Sequence, residues 1–146
     1  MGGVMTMRKI LFKGERTDNC EWVEGYYVYA PAETDEKNRL DNFVRKHWII
    51  TKNGKMYEVI PESVSEFTGL TDKNGKKIFE GDVVEHHVQA DIIVNRGVVH
   101  WDSKNARWAL QLRTMNPSFD LYKPEFFEVI GNIHDNPELL GGDNNA

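Results

Sequence analysis

Short runs of alternating apolar and polar side chains recur along the chain, separated by glycine, proline and Asn-Gly pairs. They predict strands rather than helices. Ile10 and Phe12 open a first strand that ends near Gly14, and Glu21–Ala30 reads as a second, interrupted by Gly25. Pro31 stops it, because proline has no N–H to give to a ladder. Residues 33–42 are polar and charged and predict a loop with one helical turn. Trp48–Lys52, then Asn53-Gly54, then Lys55–Ile60 predicts a β-hairpin with a type I′ turn, whose two central residues both need positive φ. Pro61–Phe67 links to a second turn region, Thr68–Gly75, where Asn74-Gly75 repeats the signal. This turn leads into Lys77–Val84, where Gly81-Asp82 introduces a strand, and further strands are expected at Ile92–Trp101, Arg107–Leu112 and Phe126–Asn132, with a bulge or bend at Gly97. Asn136-Pro137 predicts a short helical turn with Asn136 as N-cap and proline at the first helical position.

This spacing predicts a mainly β protein with few short helical turns. Residues 68–140 are expected to form a small SH3-like β-barrel, and residues 8–67 an N-terminal β-rich lobe whose strands and hairpin pack on it. Ile78, Val83, Val99, Trp101, Trp108, Val129 and Ile133 are placed to fill one core. Residues 1–7 read as a flexible start or tag remnant, although Gly2 and Thr6 formally match an N-myristoylation pattern. Residues 141–146 have no large apolar anchor and are expected to be disordered.

Composition narrows the function classes. The single cysteine, Cys20, allows no intramolecular disulfide and reads as an ordinary strand or loop residue. No apolar run reaches the ~20 residues that span a bilayer, and a cytoplasmic location is expected. The formal charge is −5, unevenly placed: residues 1–60 hold 10 Lys/Arg against 9 Asp/Glu, and residues 61–146 hold 8 against 14. An acidic C-terminal half argues against a nucleic-acid ligand, since phosphate contacts need a basic face. Lys37, Arg39, Arg45, Lys46, Lys52 and Lys55 keep a local basic face open as an alternative.

Several segments together resemble one known family. Phe67-Thr68-Gly69-Leu70, Asp72-Lys73-Asn74-Gly75-Lys76 and Ile78-Phe79-Glu80-Gly81-Asp82-Val83-Val84 are similar to the central motif of the YopX family. Gly97-Val98-Val99 with Trp101, and Glu128–Ile133 followed by Asn136–Leu140, are similar to its closing part. Glu21–Gly25 and Tyr57–Glu62 extend the likeness to the first half, so it covers roughly residues 8–140. The resemblance implies a protein of phages and prophages and carries no catalytic residues. Glu85–Asn95 and Arg113–Glu125 lie outside its motifs.

Candidate chemistry is sparse. His86 and His87 are adjacent, so on a strand they point to opposite faces and cannot both reach one ion; His100 and His134 have no metal-ligand spacing. Glu80, Asp82 and Glu85 cluster near a turn, where Asp82 is expected to accept backbone hydrogen bonds. Ser63 and Ser65 lack a histidine nearby in sequence, and no phosphate loop or nucleophile elbow is present. No catalytic, cofactor-binding or metal residue is therefore assigned, and no cofactor is expected. The expectation is a non-enzymatic protein-interaction or self-assembling module, possible as a homo-oligomer, with another copy or a host or phage factor as partner. Trp22, Tyr26, Tyr27, Tyr29 and Trp48 are its candidate contact surface, because aromatics dominate interface hot spots. Alternatives are a nucleic-acid-associated accessory protein using the barrel face and, less favoured, a small hydrolase.

Overall fold

A computed structural model describes residues 7–31, 45–88, 92–112, 119–121 and 123–141. The expected start and tail segments, the 33–42 loop, and the basic residues Lys37 and Arg39 lie outside the described residues wholly or in all but their inner ends. The chain divides into two compact units, Met1–Glu66 and Phe67–Ala146, and the division falls within a strand.

In the first unit, β1 (Phe12–Glu15), β2 (Trp22–Pro31), β3 (Arg45–Ile50) and β4 (Met56–Glu58) form an antiparallel sheet in the order β4-β3-β2-β1. The first residues of β5 (Ser65–Thr71) pair with β1, Glu66 opposite Phe12 and Ser65 opposite Lys13. Among the described residues of this unit, Ile49 and Val59 are the fully buried apolar side chains. At Gly14 a Cβ would stand 3.0 Å from the Val59 Cβ, so β1 approaches Val59 more closely than a side chain would comfortably allow. Buried Ser63 ties the sheet to the chain that follows it: its hydroxyl donates to the Ile60 carbonyl (2.6 Å) and accepts from the Glu15 N–H (2.8 Å).

In the second unit, the later part of β5 pairs with β6 (Lys77–Phe79). A five-stranded antiparallel sheet follows, built from β7 (Asp82–Val88), β8 (Ile92–Asp102), β9 (Arg107–Leu112), β10 (Phe119–Asp120) and β11 (Phe127–Asn132). Its order is β10-β9-β8-β7-β11. A helical turn, α1 (Glu138–Gly141), follows β11. Ile78, Val84, Val99, Leu110, Leu112, Leu121 and Phe127 make the core, with Leu70, Trp108 and Val129 packed against it.

The mainly β architecture agrees with the sequence reading, and several details differ. Among the described residues no ladder joins β10 to β11, and no closed barrel is found. The Asn53-Gly54 turn is not type I′. Gly54 has φ +85°, but Asn53 is absent from the positive-φ residues. The Gly54 N–H donates to the Thr51 carbonyl and the Thr51 N–H to the Lys55 carbonyl, both at 2.8 Å. This is a three-residue loop in which a type I turn ends on a left-handed glycine, the common G1-bulge hairpin. Trp101 and Ile133, expected in the core, are 46% and 37% exposed. Trp101 shares a face with Val99 but stands one row further along β8, opposite Trp108 and next to the 103–106 turn, beyond the last buried row. Asn136 points its side-chain oxygen back at the Asn132 N–H (3.3 Å) rather than serving as the expected helix cap.

Candidate functional site

The five aromatic residues proposed as a contact surface lie on or beside one ladder and divide between its faces. β2 pairs with β1 and β3 without a register shift, so side chains alternate strictly along it. Trp22, Tyr26 and, across the ladder, Trp48 share one face; Tyr27 and Tyr29 share the other. On the first face Tyr26 is 61% exposed, and Lys13 lies over the Trp22 ring at 4.6 Å. Trp48 is half-buried, and its indole N–H is buried without a hydrogen-bond acceptor.

On the second face the register sets His47 opposite Tyr29. The imidazole stacks on both tyrosines, 4.6 Å from the Tyr29 ring and 5.7 Å from the Tyr27 ring. It also shares a 2.5 Å hydrogen bond between Nδ1 and the Tyr27 hydroxyl. Burial, with Tyr29 as a smaller contributor, raises the Tyr27 pKa, so its hydroxyl keeps its proton beyond the ordinary tyrosine range. Arg45 lies 5.8 Å over the Tyr29 ring. Alternation alone separates the five aromatics into two sets, but His47 as their hub needs the β2–β3 register.

A second feature lies in the other unit. Arg96, Glu85 and Glu128 face one another in a row across β8, β7 and β11. Glu85 and Glu128 are directly opposed carboxylates, an arrangement that destabilises a sheet unless cations intervene. Arg96 donates to Glu85 Oε2 through two nitrogens, at 2.6 and 3.2 Å, and a third nitrogen reaches the Leu139 carbonyl at 3.2 Å. His87, two residues beyond Glu85, shares its face; Nε2 lies 3.8 Å from Glu85 Oε1 and 3.3 Å from Glu128 Oε2. The 3.3 Å approach is not a hydrogen bond, because the ring N–H direction misses the oxygen, and Nε2 is buried without a partner. Lys73 Nζ stands 3.5 Å from His87 Nδ1 and 3.7 Å from Glu128 Oε2. Ligating atoms of Glu85, His87 and Glu128 all lie within 4.8 Å of one another, a set of two carboxylates and an imidazole.

The neighbouring turn holds Lys73 in place. Asp72 Oδ1 accepts from the Asn74 and Lys76 N–H groups, at 2.8 and 2.9 Å, and Oδ2 accepts from the Val129 N–H at 2.9 Å. The Lys73 N–H donates to the Phe127 carbonyl (2.9 Å), so the turn is tied along β11 on both sides of Glu128.

The adjacent histidines do diverge as alternation requires. His86 stacks on Phe127 at 4.8 Å while His87 joins the carboxylates. At this point β8 advances two residues against one of β7, a bulge. Burial, and secondarily His87, lowers the His86 pKa, favouring its neutral form. Asp82 accepts the Phe79 N–H (2.8 Å), as a turn carboxylate should. Cys20 is exposed in a turn with φ +60°. The sequence signal for the charged group was Glu85-x-His87, which alternation puts on one face. Glu128 enters only through the β7–β11 register, 43 residues downstream by numbering.

No curated protein matches the chain. The crystal structure of protein EF1440 from Enterococcus faecalis is similar over 92% of this chain and 99% of its own, at 24% identity and a TM-score of 0.50. That likeness concerns the fold alone. The family described as YopX protein matches residues 12–141, from the first residue of β1 to the last of α1, and so takes in the aromatic ladder, the Asp72 turn and the charged row alike. The chain belongs to the YopX family.

Proposed function

We propose that this protein is a phage- or prophage-encoded, non-enzymatic module that acts in the host cytoplasm by binding protein, and that its first partner is another copy of itself. One observation carries this reading. Met56, Ile50 and Tyr26 stand in register across β4, β3 and β2 on one face. The outer members of that row are 50% and 61% exposed. Val28 and Trp48 form the next row beside it. β4 is also a terminal strand of its sheet, an edge of the kind used in strand addition, with its Glu58 carbonyl already taking the Thr17 N–H (3.0 Å). A partially curled, SH3-like second unit fits the reading, since the bulges in the β7–β8 and β7–β11 ladders bend that sheet. No helix among the described residues is long and apolar enough to cross a membrane.

The alternative, nucleic-acid binding, draws on Arg45 beside Tyr29. Lys46, however, is committed to Glu58 at 3.2 Å, and alternation sends it to the opposite face from Arg45. Light scattering over a concentration series at two salt levels tests the proposal. A discrete multimer should persist on dilution, and Tyr26→Glu with Met56→Glu should dissociate it. A monomer at every concentration sinks self-assembly, and a species whose mass depends on co-purifying nucleic acid and falls with salt favours the alternative.

A further inference from the structure

We infer that Glu85, His87 and Glu128 form a binding site for a divalent transition-metal ion, with the Lys73 ammonium as its built-in competitor. His87 is only 9% exposed, and its Nε2 is buried with no hydrogen bond although it points between two carboxylates. Buried polar atoms normally find partners, so this nitrogen is directed at something the side chains around it do not supply. Arg96 engages Glu85 through Oε2, which leaves Oε1 turned toward His87. With metal–ligand bonds of about 2.0–2.1 Å, neighbouring donors in a tetrahedral site stand about 3.3 Å apart. The His87 Nε2 to Glu128 Oε2 separation is 3.3 Å. The group as a whole lies within 4.8 Å, so side-chain rotation of ~1.5 Å at most closes the set around an ion.

The donor chemistry selects the ion. One imidazole with two carboxylates suits Zn²⁺, Co²⁺ or Ni²⁺, whereas Mg²⁺ and Ca²⁺ prefer an all-oxygen set. Three protein ligands leave a fourth position for water or for a donor from a partner. Metal on Nε2 requires the ring proton on Nδ1, and Lys73 cannot then donate to Nδ1. Lys73 and the ion therefore exclude one another. The lysine belongs to an exposed turn and can swing outward, whereas Glu85 and His87 are held on β7.

The full chain is titrated with Co²⁺, read by its visible absorption, and with Zn²⁺ by calorimetry, with Mg²⁺ as control. One ion per chain is expected, with no competition from Mg²⁺. His87→Gln and Glu128→Gln should each weaken binding by at least ~10-fold, the effect seen even for outer-sphere changes at metal sites. Lys73→Met should tighten it, a gain that a misfolded variant could not produce. The inference is overturned if neither the natural chain nor Lys73→Met binds one ion. It is likewise overturned if His87→Gln and Glu128→Gln bind as tightly as the natural chain, or if Lys73→Met binds no better.

Discussion

The tripeptide Lys-Asn-Gly occurs twice, at 52–54 and at 73–75, each time followed by lysine. Both copies fold alike. Gly54 and Gly75 have φ +85° and +81°, and each glycine N–H donates to the carbonyl three residues back, at 2.8 and 3.0 Å. In both, the residue before the tripeptide donates its N–H to the following lysine carbonyl at 2.8 Å. Only that preceding residue differs. Thr51 has a buried hydroxyl with no partner, whereas Asp72 uses both carboxylate oxygens to accept three N–H groups, one of them from β11. The tripeptide makes the turn. The residue before it determines whether the turn is only a reversal of direction or also a tie to the rest of its unit.

Replacing that residue should separate the two turns most sharply. Asp72→Ala strands the Val129, Asn74 and Lys76 N–H groups, and hydrogen bonds to a charged acceptor contribute about 1.5–3 kcal/mol each. With partial rescue by water, urea unfolding should register a loss of about 3 kcal/mol. Thr51→Ala should cost almost nothing, because the hydroxyl it removes bonds to nothing. Equal losses at the two sites would break the comparison.

The glycines should behave alike where their predecessors do not. A Cβ at Gly54 or at Gly75 meets nothing within 4 Å, so only the left-handed backbone penalises it. Gly54→Ala and Gly75→Ala should each cost ~1–2 kcal/mol, measured by the same denaturation. A much larger loss at one site would mean that the turns differ in more than their first residue.

The smallest expected effect is a pH dependence confined to the Asp72 side. His86 packs on Phe127, whose carbonyl receives the Lys73 N–H. Its pKa is lowered from 6.5 by burial. The unfolded chain therefore binds the proton first, and stability falls as pH drops below about 6.5 toward the folded value. His86→Phe should flatten that part of the stability curve. A curve of unchanged slope would remove His86 as its source.

Much of this was legible in the sequence, for physical reasons that also explain the rest. Glycine marks both turns because left-handed backbone penalises every other residue, and this signal is local. The core positions Ile78, Val83 and Val99 were legible from alternation and are buried. Trp101 and Ile133 carry the same alternation signal, but periodicity does not reveal where a sheet stops covering its own face. The turn class went astray because Asn-Gly suits both a two-residue loop and the last two positions of a three-residue one; only the hydrogen bonds distinguish them. The row Arg96–Glu85–Glu128 was beyond reach, since registers between distant strands leave no mark in either segment alone. Asp72 stands between these cases. An aspartate opening a turn is a readable sign, while its bond to the Val129 N–H spans 57 residues.

That span gives Asp72 two places in the order of folding. Its bonds to Asn74 and Lys76 close within a few residues, on the ~1–10 μs scale of hairpin formation. The bond to Val129 must wait for β11 to arrive, after a long loop has been closed against its entropy. One carboxylate thus serves first as a guide and later as a latch. The early bonds hold the Asp72 carboxylate oriented before the late strand reaches it, which lowers the entropy still to be lost when β11 docks.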